Sequence, residues 1–569
     1  MQEFIDQVKR AIAKHSGLDP ADLKIESPRD PSLGDLAFPC FPLAKALKQA
    51  PPKIAAELGP KLADELEGIE VAPTGPYLNF KIDRGALAAS VLGAIADQGE
   101  AFGGSDVGSG KRVVIDFSSP NIAKPFHVGH LRSTIIGASL QRIHDLLGYD
   151  TVGINHIGDW GSQFGKLVAA IQRWGDEYDL EGEPIKSLLA LYIRYHEAEE
   201  SDPELAEAGR AAFRELESGE DGEVRQTWKR LTELSLAEFD RIYGRLGVSF
   251  DHVRGEAFYE PYLDETVDKI VASGVTEESE GALVVMLEEL EKNAPPCLLR
   301  KTDGTTLYAT RDLAAVLQRW DEFAFERCLY VVGSDQRLHF RQIKNVLKRM
   351  ELPWEPRVEH VDFGMLRLPE GKLSTRKGQV VFLEDLLDRA VADAAKTIAE
   401  KNPDLAHADR VAEEVGIGAV VFHDLKRERV KDVVFDWDEV LSFEGETGPY
   451  VQYTHARLAS IERKAEAAGS SAATLDVATL GALEDASEVL LTLGRFPQVV
   501  QTAAAEAEPS VVTRYALELA RTVNSWYVHH RVLGEEPATT SARLALVTGA
   551  RRVLANALTL LGVAAPVEM

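Results

Sequence analysis

A mostly apolar run, RVVIDF from Arg112 to Phe117, is followed ten residues later by the tetrapeptide HVGH, Gly129 between two histidines, and then by a stretch of helical periodicity. Strand, loop and helix in that order predict a parallel α/β layer, with the chain re-entering as a second strand at TVGINHIGD, Thr151 to Asp159. His127 and His130, at i and i+3, share one face of the helix's first turn. There, unpaired backbone N–H groups and the helix dipole favour a phosphate. Gly129 lets a ligand approach the backbone.

A chain of 569 residues is too long for one core. Residues 1–108 read as an N-terminal module that opens on an amphipathic helix (Phe4, Ile5, Val8 and Ile12 inward). It closes on the strand GPYLNFKID, and the glycine-rich Gly103–Gly110 reads as a linker to the next domain. That joint fits neither the G-x-G-x-x-G nor the P-loop spacing. Residues 109–435 carry the sheet. Charged helices between about 170 and 294 interrupt it, and the strand-like GALVVML lies inside that insertion. Asp303-Gly304 suits a tight turn as the second half resumes. Residues 436–569 are helical to the end.

With 91 acidic against 63 basic residues the net charge is −28. Long-range repulsion then opposes non-specific adhesion to nucleic acid or anionic membrane, so any RNA contact must be local. Cys40, Cys297 and Cys328 are too few and scattered for a disulfide framework or a zinc site. The N-terminus carries Glu3 and Asp6 and does not read as a secretory signal, and no apolar run reads as a bilayer span. A cytoplasmic protein is expected.

A second cluster, KLSTRKG, lies between Gly371 and Gly378. Basic and hydroxyl side chains bracketed by glycines suit a loop that closes over a triphosphate and reopens.

The run SSPNIAKPFHVGHLRST, Ser118 to Thr134, resembles the HIGH motif of class I aminoacyl-tRNA synthetases, and more narrowly its form in arginyl-tRNA synthetases. KLSTRKG is similar to the same class's KMSKS loop, with Leu373 for methionine and Thr375 for the second lysine. The resemblance extends from GDLAFPCFPLAKAL to the terminal APVEM. It implies a Rossmann-like parallel-sheet catalytic domain with a helical insertion, an α+β N-terminal domain and a C-terminal α-helical bundle that binds the anticodon. It implies that L-arginine is activated by ATP, with magnesium on the triphosphate and no zinc, and transferred to tRNA(Arg), with no editing domain, by a monomer.

By the same resemblance His127, Gly129, His130, Gly333, Asp335, Lys372, Ser374, Arg376 and Lys377 would hold ATP. Lys124 would supply the charge that Thr375 lacks. Selecting a planar guanidinium over lysine's point charge calls for a fork of acceptors. The resemblance puts Asp312 there, with Tyr308 and Gln336 completing the pocket. Asp116, where the family commonly has Glu, would join Ser118, Asn121 and His127 at the amino acid's other end. Tyr77 and Asn79 in the N-terminal module would meet tRNA, as would Tyr450, Gln452, Tyr453, Arg457 and Trp526 in the helical region. Another nucleotidyl-transferring member of the superfamily and a silent RNA-binding paralogue are the rival readings.

Overall fold

The computed structural model describes every residue except 27, 29, 220, 293, 368–381, 435, 436, 441, 443, 444 and 471–476. The N-terminal module is a three-stranded antiparallel sheet, β1 (Leu36–Pro39), β2 (Ile69–Thr74) and β3 (Tyr77–Ile82), in the order β1-β3-β2. The opening helix, Gln2–Ser16, buries Phe4, Val8 and Ile12, as its spacing predicts.

The second unit is a parallel sheet built on β4 (Arg112–Asp116), β5 (Asp150–Asn155) and β6 (His252–Val253). Val113, Val114 and Ile115 are fully buried because helices cover both faces, which is why β4 reads as a continuous apolar run and not as alternation. Helix α1 (Val128–Leu146) returns from β4 to β5. Helices α2 (Ser162–Trp174), α3 (Pro184–Glu199), α4 (Pro203–Ser218) and α5 (Glu223–Leu246) make most of the insertion. Helices Glu256–Tyr259 and Leu263–Ala272 follow β6, and a small antiparallel sheet of β7 (Thr276–Ser279), β8 (Ala282–Val285) and β9 (Cys297–Arg300) leads out of the insertion. The Asp303-Gly304 turn forms, with Gly304 at φ 83° and Lys301 N–H donating to Thr305 O at 2.9 Å.

Helix α6 (Tyr308–Phe323) leads to β10 (Arg327–Tyr330), and α7 (Arg337–Arg349) to β11 (Val358–His360). The strand order is β11-β10-β4-β5-β6, so the chain runs outward from β4 in one direction and then from β10 in the other. This reversal opens a crevice at the carboxyl ends of β4 and β10, the place where open α/β sheets bind ligands.

Helices α8 (Leu383–Lys401) and α9 (Ala408–Leu425) connect to the helical region, where α10 (Gly448–Ala467), α11 (Ser510–His529) and α12 (Pro537–Leu561) pack together. Two expectations change here. Helix α12 is long and apolar enough by length and composition to cross a membrane, a stretch the sequence reading passed over; in this fold 72% of its apolar window is buried inside the protein. The glycine-rich joint is not a loose tether. Ser105 and Gly108 donate to Leu146 O and Leu147 O, and Asn556 of α12 holds the Gly99 and Phe102 carbonyls just before it, at 3.0 and 3.1 Å.

Candidate active site

Beyond β4 the backbone turns left-handed at Ser118 (φ 72°), Ser119 (φ 50°) and Ala123 (φ 58°). Each non-glycine residue there costs roughly 1–2 kcal/mol, so the turn persists because its surroundings over-determine it. Ser118 N–H donates to Ser133 Oγ at 2.9 Å, Ser119 N–H to Asn155 Oδ1 at 3.2 Å and Ile122 N–H to Gly158 O at 3.1 Å. Asn121 lies against Gly158, where a Cβ would sit 2.2 Å from Asn121 Oδ1.

His127 is the N-cap of α1, and its Nδ1 accepts the Gly129 N–H at 3.0 Å. His130 Nδ1 accepts the His127 N–H at 3.2 Å, and the two rings stack at 4.0 Å. A ring nitrogen that accepts carries no proton, so each neutral imidazole keeps its N–H on Nε2. Burial first, and then Lys124, pushes His127 down to about 4. Burial likewise holds His130 well below its ordinary value, with His127 and Lys124 adding to it. Both rings are therefore uncharged donors near neutral pH. Gly129 has a tighter role than ligand access alone, since a Cβ there would lie 2.7 Å from the His127 ring.

Across the crevice, Tyr308 and Asp312 stand on the first turns of α6. His339 of α7 meets Asp312 Oδ2 through Nε2 at 2.5 Å, and its ring packs 4.7 Å from that of Tyr308. The Tyr308 phenol is raised, first by Asp312, then by burial, Glu256, Asp116 and Asp335, so carboxylates gather on one slot. Glu256, close enough to help raise the Tyr308 phenol, was not foreseen by the sequence reading. Burial pushes it up to about 7 despite Arg311 nearby, with Asp312, Asp159 and Glu260 adding to the rise. It sits three residues after β6, and a two-residue strand has no periodicity to betray it; only its place at a strand's carboxyl end could have pointed to it.

Asp159, in the NHIGDWG segment, now has a job: Oδ1 accepts the Ala257 N–H at 2.9 Å and fixes the backbone beside Glu256. Burial raises its carboxyl to about 6. Trp160 is packing, edge-on to Trp228. Gly333, Asp335 and Gln336 form the turn after β10, tied by the Ser334 N–H to Phe363 O at 2.9 Å, and so face the same crevice end.

Two expected ligands are engaged elsewhere. The Asp116 carboxylate lies 2.8 Å from Arg319, whose side chain is fully buried, and accepts from Ser119 Oγ at 3.0 Å, so its charge is already matched inside the protein. The Ser118 hydroxyl is buried between Thr134 Oγ1 and Tyr243 OH, each at 2.8 Å. Lys372, Ser374, Arg376 and Lys377 lie outside the described residues.

This arrangement can present two neutral N–H donors to phosphate oxygens and an anionic slot to a cation. A family model described as "tRNA synthetases class I (R), catalytic domain" matches residues 92–437, "Arginyl tRNA synthetase N terminal domain" matches 2–82 and "DALR anticodon binding domain" matches 451–569. An arginine–tRNA ligase from Clostridium perfringens is 46% identical over 560 residues, covering 98% of each chain. The chain belongs to the arginyl-tRNA synthetases. A ligase of the same name from Ligilactobacillus salivarius is 47% identical over 96% of this chain and 95% of its own. The solved Thermus thermophilus arginyl-tRNA synthetase superposes with a TM-score of 0.83 at 27% identity over the whole of both chains.

In this arginyl-tRNA synthetase the helical region carries a cavity of about 480 Å³ lined by Lys401, Tyr450, Tyr453, Arg457, Asn524 and Met569. Arg457 lies 4.9 Å over the half-exposed Tyr453 ring, and Asn524 Nδ2 donates to Tyr450 OH at 3.0 Å. Sequence reasoning had three of these residues and missed Asn524, Lys401 and Met569, which only tertiary folding brings in. Gln452 and Trp526 are corrections. Gln452 is fully buried, its Nε2 spent on Glu414 O and Ala564 O, and Trp526 is buried with its ring stacked on His530. In the N-terminal module Tyr77 is exposed and edge-on to Phe41, itself exposed and not foreseen, whereas Asn79 is buried within the sheet.

Proposed function

We propose that this chain is an arginine–tRNA ligase. In the first step the arginine carboxylate attacks the α-phosphorus of ATP; a carboxyl O–P bond forms and the bond to the β-phosphate oxygen breaks, releasing pyrophosphate. In the second, a hydroxyl of the tRNA's terminal ribose attacks the adenylate's carbonyl and AMP leaves. Neither step needs covalent help from the protein, so positioning and charge stabilisation carry the catalysis.

One observation supports the reading: two neutral imidazoles that keep their N–H on Nε2 stand at the start of α1 beyond the carboxyl end of β4, in a fold whose α6 carries Tyr308 and Asp312 with Glu256 near them. The Nε2–H groups of His127 and His130 donate to phosphate oxygens. Asp312, held by His339, and Glu256 meet the guanidinium, with Tyr308 and Gln336 beside it; Asn121 takes the α-amino end, with Asp116 behind it. Gly129 lets the nucleotide close on the helix mouth, and Gly333 and Asp335 face its ribose. Lys124, near enough to depress both histidines, supplies positive charge on one side; Lys372, Ser374, Arg376 and Lys377 supply it from the other. Magnesium enters with ATP, on the triphosphate's own oxygens.

Tyr450, Tyr453 and Arg457 bind unpaired bases of tRNA(Arg), and Tyr77 makes the contact from the N-terminal module. The domains run 1–108, 109–435 and 436–569, and the protein acts as a cytoplasmic monomer. Pyrophosphate exchange with each of the twenty amino acids, with and without tRNA, tests the assignment. Arginine alone should support exchange; a better rate with any other amino acid would overturn it.

A further inference from the structure

The left-handed turn ahead of the histidines is gripped from outside the sheet by one helix of the insertion. Ser235 of α5 accepts the Ala123 N–H on its Oγ at 2.9 Å, while that Oγ donates to Leu231 O at 2.8 Å. Two turns further along α5, Tyr243 reaches the other end of the same turn. Its hydroxyl lies 2.8 Å from Ser118 Oγ and 3.1 Å from Asn155 Nδ2. Phe239 and Tyr243 pack on Phe126 between them, ring centres 5.4 Å apart in each case.

The direction of every hydrogen bond in this chain is determined. Thr134 Oγ1 donates to His130 O at 2.8 Å, because a carbonyl can only accept. The one proton of Thr134 being used, Ser118 must donate to Thr134, Tyr243 to Ser118 and Asn155 Nδ2 to Tyr243. A single oriented chain thus runs from the insertion through the strained turn to the backbone of His130. Tyr243 OH, Ser118 Oγ and Thr134 Oγ1 are buried along it.

We infer that Ser235 and Tyr243 are positioning residues for arginine activation: helix α5 of the insertion holds Ser118–Ala123 in its left-handed turn, so that Asn121, His127 and His130 face the reacting groups. Neither residue touches substrate. The inference rests on the function proposed above, and it gives the insertion a part in the chemistry. Because the proposed guanidinium site is carried chiefly by α6 and α7, loosening the turn acts first on the reacting end of arginine. The expected signature is a loss in kcat with arginine binding preserved.

The test is arginine-dependent pyrophosphate exchange by the full chain, in the presence of tRNA, with arginine-binding stoichiometry measured alongside. Ser235→Ala should lower kcat about tenfold, with arginine KM changed less than threefold and one arginine still bound per chain. Adding Ala123→Gly should restore at least half of that loss, because glycine adopts φ 58° without the Cβ penalty. A merely structural role for Ser235 would lower the binding stoichiometry with kcat, and glycine would not rescue it. Tyr243→Phe keeps the ring against Phe126 and should cost about fivefold in kcat by breaking the oriented chain. The inference is overturned if either single variant retains kcat within twofold of the unsubstituted chain, or if Ala123→Gly recovers nothing. Failure of the unsubstituted chain to catalyse arginine-dependent exchange would instead sink the proposed function.

Discussion

Asp116, the last residue of β4, and Arg319, on α6, form an ion pair at 2.8 Å with side chains 5% and 0% exposed. Tyr330 and Tyr259 flank the guanidinium at 5.1 and 5.8 Å, and His156 Nδ1 lies 3.4 Å from Nη2. The pair ties the strand that launches the histidine loop to the helix that carries Tyr308 and Asp312, so it fixes the two halves of the site against each other.

Breaking that pair on one side leaves a buried charge with nothing to balance it, which costs about 3–5 kcal/mol. Arg319→Met should therefore lower the unfolding free energy by that order in urea titration. The double substitution Arg319→Met with Asp116→Asn should recover part of it, since the uncompensated charge is gone. A single variant as stable as the unsubstituted chain would mean that Asp116 finds another cation.

The two site histidines lend themselves to a cap-against-donor test. Asn is a strong N-cap, so His127→Asn should leave the start of α1 intact while removing the Nε2–H donor. The expected result is a fall of about 10²–10³ in the exchange rate with the melting temperature nearly unchanged. Linkage gives a second readout. In the folded chain His127 titrates at about 4 and in the unfolded chain near 6.5, so the unfolded state binds more protons between those values. His127 thus subtracts stability as pH falls from 6.5 towards 4, and kcat at saturating arginine should show no histidine-like loss near pH 6.5.

How much of this was readable beforehand depends on what each residue's environment writes into the sequence. The strand β4 was legible because burial on both faces demands an unbroken apolar run, and the histidine pair because the helix mouth needs those residues at that spacing. Glu256 was not, because β6 spans two residues and carries no pattern. Gln452 and Asn79 misled for a related reason: a polar side chain in an aromatic-rich run points either to solvent or into the packed interior. Only the packing of α10 against the C-terminal tail, or of β3 between β1 and β2, decides which. The joint at Gly103–Gly110 reads as a linker by composition, but its partners, Leu146 and Leu147, are remote in sequence.

If Glu256 meets the guanidinium as proposed, arginine binding is a proton-linked event. Burial pushes its carboxyl up to about 7, so that it is partly protonated at neutral pH. A guanidinium beside it favours the ionised form, so binding should release up to one proton and tighten as pH rises from 6 to 8. Calorimetry in buffers of different ionisation enthalpy measures the proton directly. Glu256→Gln should abolish the release and weaken arginine binding by about 2–3 kcal/mol, the scale of a charge-assisted hydrogen bond. A proton count of zero for the unsubstituted chain would exclude Glu256 from the slot.

The helical region offers a contrast between a residue that lines the cavity and one that serves the fold, although the two are neighbours in sequence. Tyr453, half-exposed with Arg457 against its ring, should lose a stacking contact when replaced by alanine. At about 1–3 kcal/mol per stacked base, the KM for tRNA should rise roughly tenfold or more with the melting temperature unmoved and arginine affinity unchanged. Gln452→Leu should do the opposite. It strands the Glu414 and Ala564 carbonyls in the interior at a cost of about 1–3 kcal/mol, so the protein should melt earlier. Because Ala564 belongs to the tail that brings Met569 to the cavity, any change in tRNA KM in this variant should follow loosening of that tail, seen as faster amide exchange at residues 564–569. A Gln452→Leu protein of full stability that binds tRNA as weakly as Tyr453→Ala would put the amide at the RNA after all.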